Sequence, residues 1–117
     1  MEILIRGTTV DDIISRVPAY AERRELIPVK GKVEAGFEYK WIQNEETWRV
    51  RVHGPDPTAI GSNARNNWIV RVQKGKKSLD SNGNWHTGGI YKKESPYYSE
   101  EIINDTHIPI QALRRII

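Results

Sequence analysis

Trp48-Arg49-Val50-Arg51-Val52-His53 alternates apolar and polar side chains with a period of two residues. Successive side chains of a β-strand point to opposite faces of the sheet, so this pattern predicts a strand with one buried face. The apolar side chains face the core, and Arg49, Arg51 and His53 face the other way. Gly54-Pro55-Asp56-Pro57 follows at once and predicts a loop. The strand therefore brings arginine and histidine side chains to a polar surface beside a loop.

A second strand, over residues 68–73, repeats the alternation and places Arg71 on its polar face. If both strands belong to one sheet, three arginines and one histidine share a surface. The planar guanidinium group of arginine binds phosphate, and histidine exchanges a proton near neutral pH. Such a surface could bind and cleave a phosphodiester. The alternative is the solvated polar side of an antiparallel sheet, which needs no ligand.

The composition fits one folded domain over residues 1–117. Of the 117 residues, 38% are hydrophobic and 28% are charged, which is typical of a globular protein rather than a disordered one. No apolar run approaches the roughly 20 residues that cross a bilayer, so we expect no transmembrane segment. The chain has no cysteine, and His53, His86 and His107 lack metal-ligand spacing. We therefore expect neither a disulfide nor a bound metal or other cofactor.

Positive charge is concentrated in the middle of the chain. The net charge is only +3, but residues 28–93 hold twelve Lys and Arg against six Asp and Glu. A basic region of this kind favours a polyanionic partner such as nucleic acid. The charge peaks at Lys74, Lys76 and Lys77, although lysines after a strand also simply solubilise a turn.

The order of predicted elements, helix first and then a β-meander, indicates an α+β fold. A helix is predicted over residues 9–17, where apolar residues follow helical spacing and Thr9 could cap the N-terminus. Short helical turns are predicted over residues 19–25 and 112–117. About five strands are predicted, over residues 28–33, 37–41, 48–53, 67–74 and 107–110. Residues 54–66 are predicted to be a loop, and residues 86–99 to be irregular.

Two uncommon motifs make the sequence recognisable: His53-Gly54-Pro55-Asp56-Pro57 and Asn104-Asp105-Thr106-His107-Ile108-Pro109. Further characteristic blocks cover residues 26–33, 38–41, 47–57, 61–64 and 68–75. In these blocks the sequence resembles the polymorphic toxin type 30 domain, over roughly residues 10–110.

The resemblance implies a fold and a biological role. Members of that family are C-terminal modules of large secreted bacterial proteins, predicted to be ribonucleases and paired with immunity proteins. We therefore expect a toxin that is delivered into the cytoplasm of a target cell and neutralised by a cognate immunity protein. The implied fold is barnase/EndoU/colicin/RelE-like, with an N-terminal helical part packed on a twisted antiparallel sheet.

Metal-free RNA cleavage determines which residue types could be catalytic. The 2′-hydroxyl attacks the phosphate, so a base must take its proton, an acid must protonate the leaving oxygen, and cations must stabilise the phosphorane. His53 is the first candidate for base or acid, because a rigid strand ends there and a loop begins. His107 is the second candidate, and His86, in a glycine-rich segment, is the third. The alternative for His53 is a histidine that only hydrogen-bonds the loop after it.

Further polar residues are predicted to assist these histidines. Arg51 and Arg71 would stabilise the phosphate. Asp56, fixed between two prolines, would either orient His53 or only form a turn. Thr106 would donate a hydrogen bond to phosphate or satisfy a strand end. The predicted RNA-binding residues are Lys40, Arg49, Ser62, Asn63, Lys74, Lys76 and Lys77.

These features together favour a metal-independent endoribonuclease, with tRNA as one candidate target. Two alternatives stay open. One is a metal-dependent DNase that uses Asp105 and His107 as ligands, and the other is a non-enzymatic basic module that binds nucleic acid. For partners we expect RNA and an acidic immunity protein, with the toxin domain itself monomeric and no membrane involved.

Overall fold

An antiparallel sheet forms the centre of the fold. The computed structural model describes residues 9–111, and within this range the sheet has seven strands. They are β1 (Glu22–Glu25), β2 (Gly36–Gln43), β3 (Glu46–His53), β4 (Ile69–Lys74), β5 (Lys77–Leu79), β6 (Trp85–Thr87) and β7 (Ile108–Pro109). Strands β1 to β6 are neighbours in chain order, and β7 pairs with β4.

Short helices accompany the sheet. They are α1 (Val10–Arg16), α2 (Ser62–Asn66), a 3₁₀ helix (Gly88–Tyr91) and α3 (Glu100–Thr106). The predicted α+β class is therefore confirmed, with a larger sheet than the five strands expected. Between residues 9 and 111, no helix has the length and apolar character that crossing a membrane requires.

The hairpin of β2 and β3 sets the register of the polar face. Its two-residue turn, Asn44-Glu45, has positive φ at both positions, the geometry of a type I′ turn. This turn pairs Glu38 with Arg51, and the next pairing along the sheet places Arg71 opposite Arg51. The alternation predicted for residues 48–53 and 68–73 is confirmed, and Arg51 and Arg71 lie on one face of adjacent strands.

The opposite face of the sheet carries the main hydrophobic core. Side chains that alternate with the polar ones, such as Val50 and Val72, are almost fully buried there. Helix α1 packs into the same core through Val10 and Ile13. The Oγ1 atom of Thr9 accepts the Asp12 N–H at 3.1 Å, which caps this helix as predicted. The N-terminal helix thus packs on the sheet, as the resemblance implied.

The remaining helices form a group around β7, which pairs with Ile69 and Val70 at the start of β4. Helix α2 contacts α3 and β7, and α3 contacts the 3₁₀ helix. Two hydrogen bonds fasten α2 to α3: Asn63 N–H donates to Asn104 Oδ1, and Asn63 Nδ2 donates to Asn104 O, each at 2.9 Å. A Cβ atom at Gly61 would approach Asn104 Cβ to 2.7 Å, so this close contact requires glycine.

Several local predictions are wrong. Residues 22–25, predicted as helix, form the edge strand β1, which is stabilised by pairing with β2 and by stacking of Arg23 4.1 Å from the centre of the Phe37 ring. Residues 28–33, predicted as a strand, form a loop in which Gly31 has φ of +81°. The predicted loop over 54–66 contains α2, and α3 was not predicted. The helical prediction over residues 112–117 lies outside the described residues.

Candidate active site

A cavity of about 380 Å³ opens on the polar face where β3 ends. Its polar lining consists of two histidines, three arginines and one aspartate: Arg24, Arg51, His53, Asp56, Arg71 and His107. Its apolar lining comes from both neighbouring loops and α2: Leu26, Ile27, Val29, Val33, Ala59 and Ala64. The structure thus brings together five of the six residues predicted to be catalytic.

His53 lies at the end of β3 and is only 7% exposed. Its Nδ1 atom is 2.8 Å from the carbonyl oxygen of Gly54. A carbonyl oxygen can only accept, so the neutral imidazole carries its proton on Nδ1 and has a lone pair on Nε2. Burial is the main cause that lowers the pKa of His53, and the positive charges of Arg71 and Arg51 lower it further. His53 is therefore a neutral imidazole at pH 7.

His107 reaches the same cavity from the other end of the sequence. It follows α3 directly, and its Nδ1 atom lies 2.7 Å from the carbonyl oxygen of Ile103. The same argument places its proton on Nδ1 and its lone pair on Nε2. Burial, followed by the charge of Arg71, lowers the pKa of His107 to about 4. Both imidazoles can therefore accept a proton through Nε2 once a substrate is bound.

Arg71 supplies positive charge near both histidines, and within residues 9–111 no carboxylate forms an ion pair with it. Its guanidinium lies 5.1 Å from the centre of the Tyr91 ring, and its charge acts on both imidazoles. Its Nε atom is buried, and within residues 9–111 no hydrogen-bond acceptor contacts it. A buried donor without an acceptor is costly, and an anionic oxygen in the cavity would satisfy it. The predicted role of Arg71 in binding phosphate fits this environment.

Glu38 is the residue that the sequence interpretation missed. It is 3% exposed, and its Oε1 atom accepts hydrogen bonds from Arg51 Nε at 3.1 Å and Nη2 at 2.9 Å. Its Oε2 atom is 3.4 Å from Arg24 Nε and 3.5 Å from Arg49 Nη1. Burial raises the pKa of Glu38, but the hydrogen bond and charge of Arg51 and the charge of Arg24 outweigh it, so the pKa is lowered. One buried carboxylate thus holds three arginines.

The position of Glu38 could have been found from the hairpin. Residues paired across a two-residue turn have sequence numbers with a constant sum, and Gln43 pairs with Glu46 just as Glu38 pairs with Arg51. Cross-strand neighbours on one face are close enough to interact. The missing information was the turn length, which defines the register.

Two predicted catalytic roles do not fit the structure. Thr106 is 1% exposed, donates to the carbonyl of Ile103 at 2.9 Å and contacts the Tyr91 hydroxyl at 3.0 Å, so it is structural. Asp56 lines the cavity, but its Oδ1 atom accepts from Thr58 N–H and Oγ1 at 2.9 and 2.7 Å. Asp56 therefore forms a turn instead of a hydrogen bond to His53, although its charge still raises the pKa of that imidazole slightly.

The predicted RNA-binding residues separate into three groups. Lys40 and Arg49 lie on the polar face and line a second cavity. Asn63 is buried in its bonds to Asn104, and Lys74 lies on the other face with Nζ 4.5 Å from the centre of the Trp85 ring, so neither joins the cavities on the polar face. Exposed residues outside both cavities remain predictions: Ser62, Lys76 and Lys77.

Neither His86 nor Asp105 joins the cavity. His86 Nε2 is 2.7 Å from Asp80 Oδ2, and the same carboxylate accepts the backbone N–H groups of Asn82 and Asn84. Within residues 9–111, no group of three or more His, Cys, Asp or Glu side chains is arranged to hold a metal ion. The ligand pair suggested for a DNase, Asp105 and His107, therefore has no third ligand of these types in the described structure.

Comparison with protein families places these residues in a known group. A family model described as Bacterial toxin 30 matches residues 12–111, which is 100 of the 117 residues and includes every residue of the cavity. Comparisons with curated proteins and with solved structures gave no match. The match confirms the resemblance to the polymorphic toxin type 30 domain, and the chain belongs to the Bacterial toxin 30 family.

Proposed function

We propose that this domain is a metal-independent endoribonuclease toxin in which His53 and His107 act as general base and general acid. The observation that carries the proposal is their shared cavity: both imidazoles have Nδ1 bonded to a carbonyl, and both are close enough to Arg71 to feel its charge. Two proton-transfer groups beside a cation are what phosphodiester cleavage without metal needs.

In the proposed reaction one imidazole takes the proton of the 2′-hydroxyl through Nε2. The resulting oxygen attacks the neighbouring phosphorus, and the bond from phosphorus to the 5′-oxygen breaks. The other imidazole, protonated in the complex, gives its proton to that leaving oxygen. Arg71 and Arg51 stabilise the negative charge on the phosphorane. The products are a 2′,3′-cyclic phosphate and a free 5′-hydroxyl.

Membership of the family supports a biological setting for this activity. We propose that the domain acts in the cytoplasm of a target cell after delivery as the C-terminal part of a secreted effector, and that a cognate immunity protein protects the producer. The order of a helix followed by an antiparallel sheet also supports a barnase/EndoU/colicin/RelE-like fold.

The test is cleavage of end-labelled RNA by the purified domain in the presence of EDTA. We expect cleavage with a 2′,3′-cyclic phosphate at the new end. His86→Gln is the matched control, because His86 lies outside the cavity and glutamine keeps a donor for Asp80. Cleavage that requires added divalent metal would favour the nuclease alternative. Binding of RNA without any cleavage would favour the non-enzymatic module.

A further inference from the structure

A second cavity lies beside the candidate active site on the same face of the sheet. It measures about 570 Å³ and is lined by Glu22, Arg23, Arg24, Glu38, Lys40 and Arg49. Arg24 lines both cavities, which makes them neighbours. The strand register explains the arrangement, because Lys40 pairs with Glu22 on one side and with Arg49 on the other.

Positive charge exceeds negative charge in this second cavity. It has four basic side chains against two carboxylates, and one of these, Glu38, is buried beneath the arginines. Arg51 donates twice to Oε1 of Glu38, whereas Arg24 and Arg49 approach Oε2 only at 3.4 and 3.5 Å. The guanidinium groups of Arg24 and Arg49 are about half exposed and have donors left for another anion.

Lys40 adds a fully available charge. It is exposed, and within residues 9–111 no carboxylate lies within 4.0 Å of its ammonium group. It is the next residue on the polar face of β2 after Glu38. An anion in the second cavity would therefore meet Lys40 and Arg49 without displacing an existing ion pair of Lys40.

The spacing of the two cavities matches a nucleic-acid backbone. Arg49 and Arg51 lie two residues apart on one face of β3, which is about 6.8 Å along a strand. This distance is comparable with the separation of successive phosphates in an extended RNA strand. Glu38 lines only the second cavity, and its two carboxylate oxygens contact Arg51 and Arg49, so it ties together the two arginines that would meet successive phosphates.

We propose that the second cavity is a phosphate subsite, in which Lys40, Arg49 and Arg24 bind the phosphate next to the one that is cleaved. The inference rests on the proposed function in that the ligand is single-stranded RNA. It goes further by predicting that at least two successive phosphates are bound and by giving Glu38 the role of holding Arg51 and Arg49 beside each other.

The test measures binding of short oligonucleotides with 2′-O-methyl groups throughout, which cannot be cleaved by the 2′-hydroxyl route. In one series a single phosphate at a time is replaced by a neutral methylphosphonate. We expect the wild-type domain to lose affinity at two adjacent positions, about fivefold at the position that belongs to Lys40. Lys40→Ala should bind the all-phosphate oligonucleotide about fivefold more weakly than the wild type does. When the phosphate that Lys40 contacts is replaced by the neutral group, the variant and the wild type should bind equally well.

Lys93→Ala is the matched control, because Lys93 is also an exposed lysine and lines neither cavity. It should keep the full dependence on both phosphates. The slope of log affinity against log salt should become less steep by about 0.7 in Lys40→Ala when a phosphate contact is lost. If Lys40→Ala weakens binding by the same factor whichever phosphate is neutral, Lys40 does not contact one particular phosphate and the proposed subsite is wrong. This test measures binding, so its result is independent of the cleavage test. The proposed ribonuclease function fails if natural RNA is not cut, whatever the oligonucleotides show.

Discussion

His53 and His107 are 54 positions apart in the chain, yet both direct Nδ1 to a backbone carbonyl and leave Nε2 without that bond. The bond to the carbonyl fixes the tautomer and the orientation of each ring. Sequence patterns could suggest these residues because a histidine at the end of a strand or beside a proline is a local feature. The carbonyl partners could not be predicted, since they depend on the local path of the backbone.

We expect His53→Ala to lower the rate of RNA cleavage by at least ~100-fold, the lower end expected when a general acid or base is lost. The side chain faces the cavity rather than the main core, so the fold should persist. Single-turnover cleavage and far-UV circular dichroism measure the two effects, with His86→Gln as the control. Unchanged activity in His53→Ala would remove it from the acid–base pair and leave His107 with a different partner.

The value of kcat/KM should be highest at an acidic pH. This parameter reports the free enzyme: the rate falls below the pKa of the base, which must be unprotonated, and above the pKa of the acid, which must be protonated. The pKa of His107 is about 4 and that of His53 is lowered from 6.5. Because both pKa values lie below 6.5, we expect the maximum of kcat/KM below pH 6.5 and a decline towards pH 8. A profile that still rises above pH 7 would contradict the assignment of both histidines.

At the scale of elements, the long alternating strands were predictable and the short elements were not. The patterns of β2, β3 and β4 are local, and each strand has six to eight residues. Helices α2 and α3 have five and seven residues, too few to be stable alone, and are fixed by contacts such as Asn63 with Asn104. Asn63 and Thr106 use their polar groups in contacts of this kind, Asn63 with Asn104 and Thr106 with Ile103 and Tyr91, which the sequence pattern did not reveal.

The hairpin makes Glu38 a positioning residue for Arg51. We expect Glu38→Gln to lower the free energy of unfolding by about 1–3 kcal/mol, because three arginines lose a buried counter-charge while their own partial exposure limits the cost. Urea denaturation measures this, with the exposed Glu94→Gln as control. In the cleavage assay, kcat should fall because Arg51 loses the carboxylate that orients it. KM should not rise, because removing a negative charge strengthens the attraction of RNA. A rise in KM with unchanged kcat would contradict the positioning role.

At the scale of the whole molecule, one face of the sheet carries a cluster of basic residues. The two neighbouring cavities together contain five arginines and one lysine against three carboxylates. The alternation of β2, β3 and β4 determines this for Lys40, Arg49, Arg51 and Arg71, whereas Lys74 at the end of β4 lies on the apolar face. Such a surface attracts polyanions from a distance and is also the surface that an inhibitor must cover.

We predict that the cognate immunity protein is acidic and binds across both cavities. Its carboxylates would compete with phosphate for Arg71, Arg51 and Lys40, which is the most direct way to block an anion site. Surface plasmon resonance should show an association rate that falls by about an order of magnitude as salt rises from low to high ionic strength, because screening weakens the electrostatic attraction between the two proteins.

Two lysine variants test which surface is covered. Lys40→Ala should slow association, whereas Lys93→Ala should do so less, since Lys93 lies outside the cavities. The complex should no longer bind the uncleavable oligonucleotide. If the bound toxin still takes up that oligonucleotide, or if association is indifferent to salt, the immunity protein acts from a surface remote from the arginines.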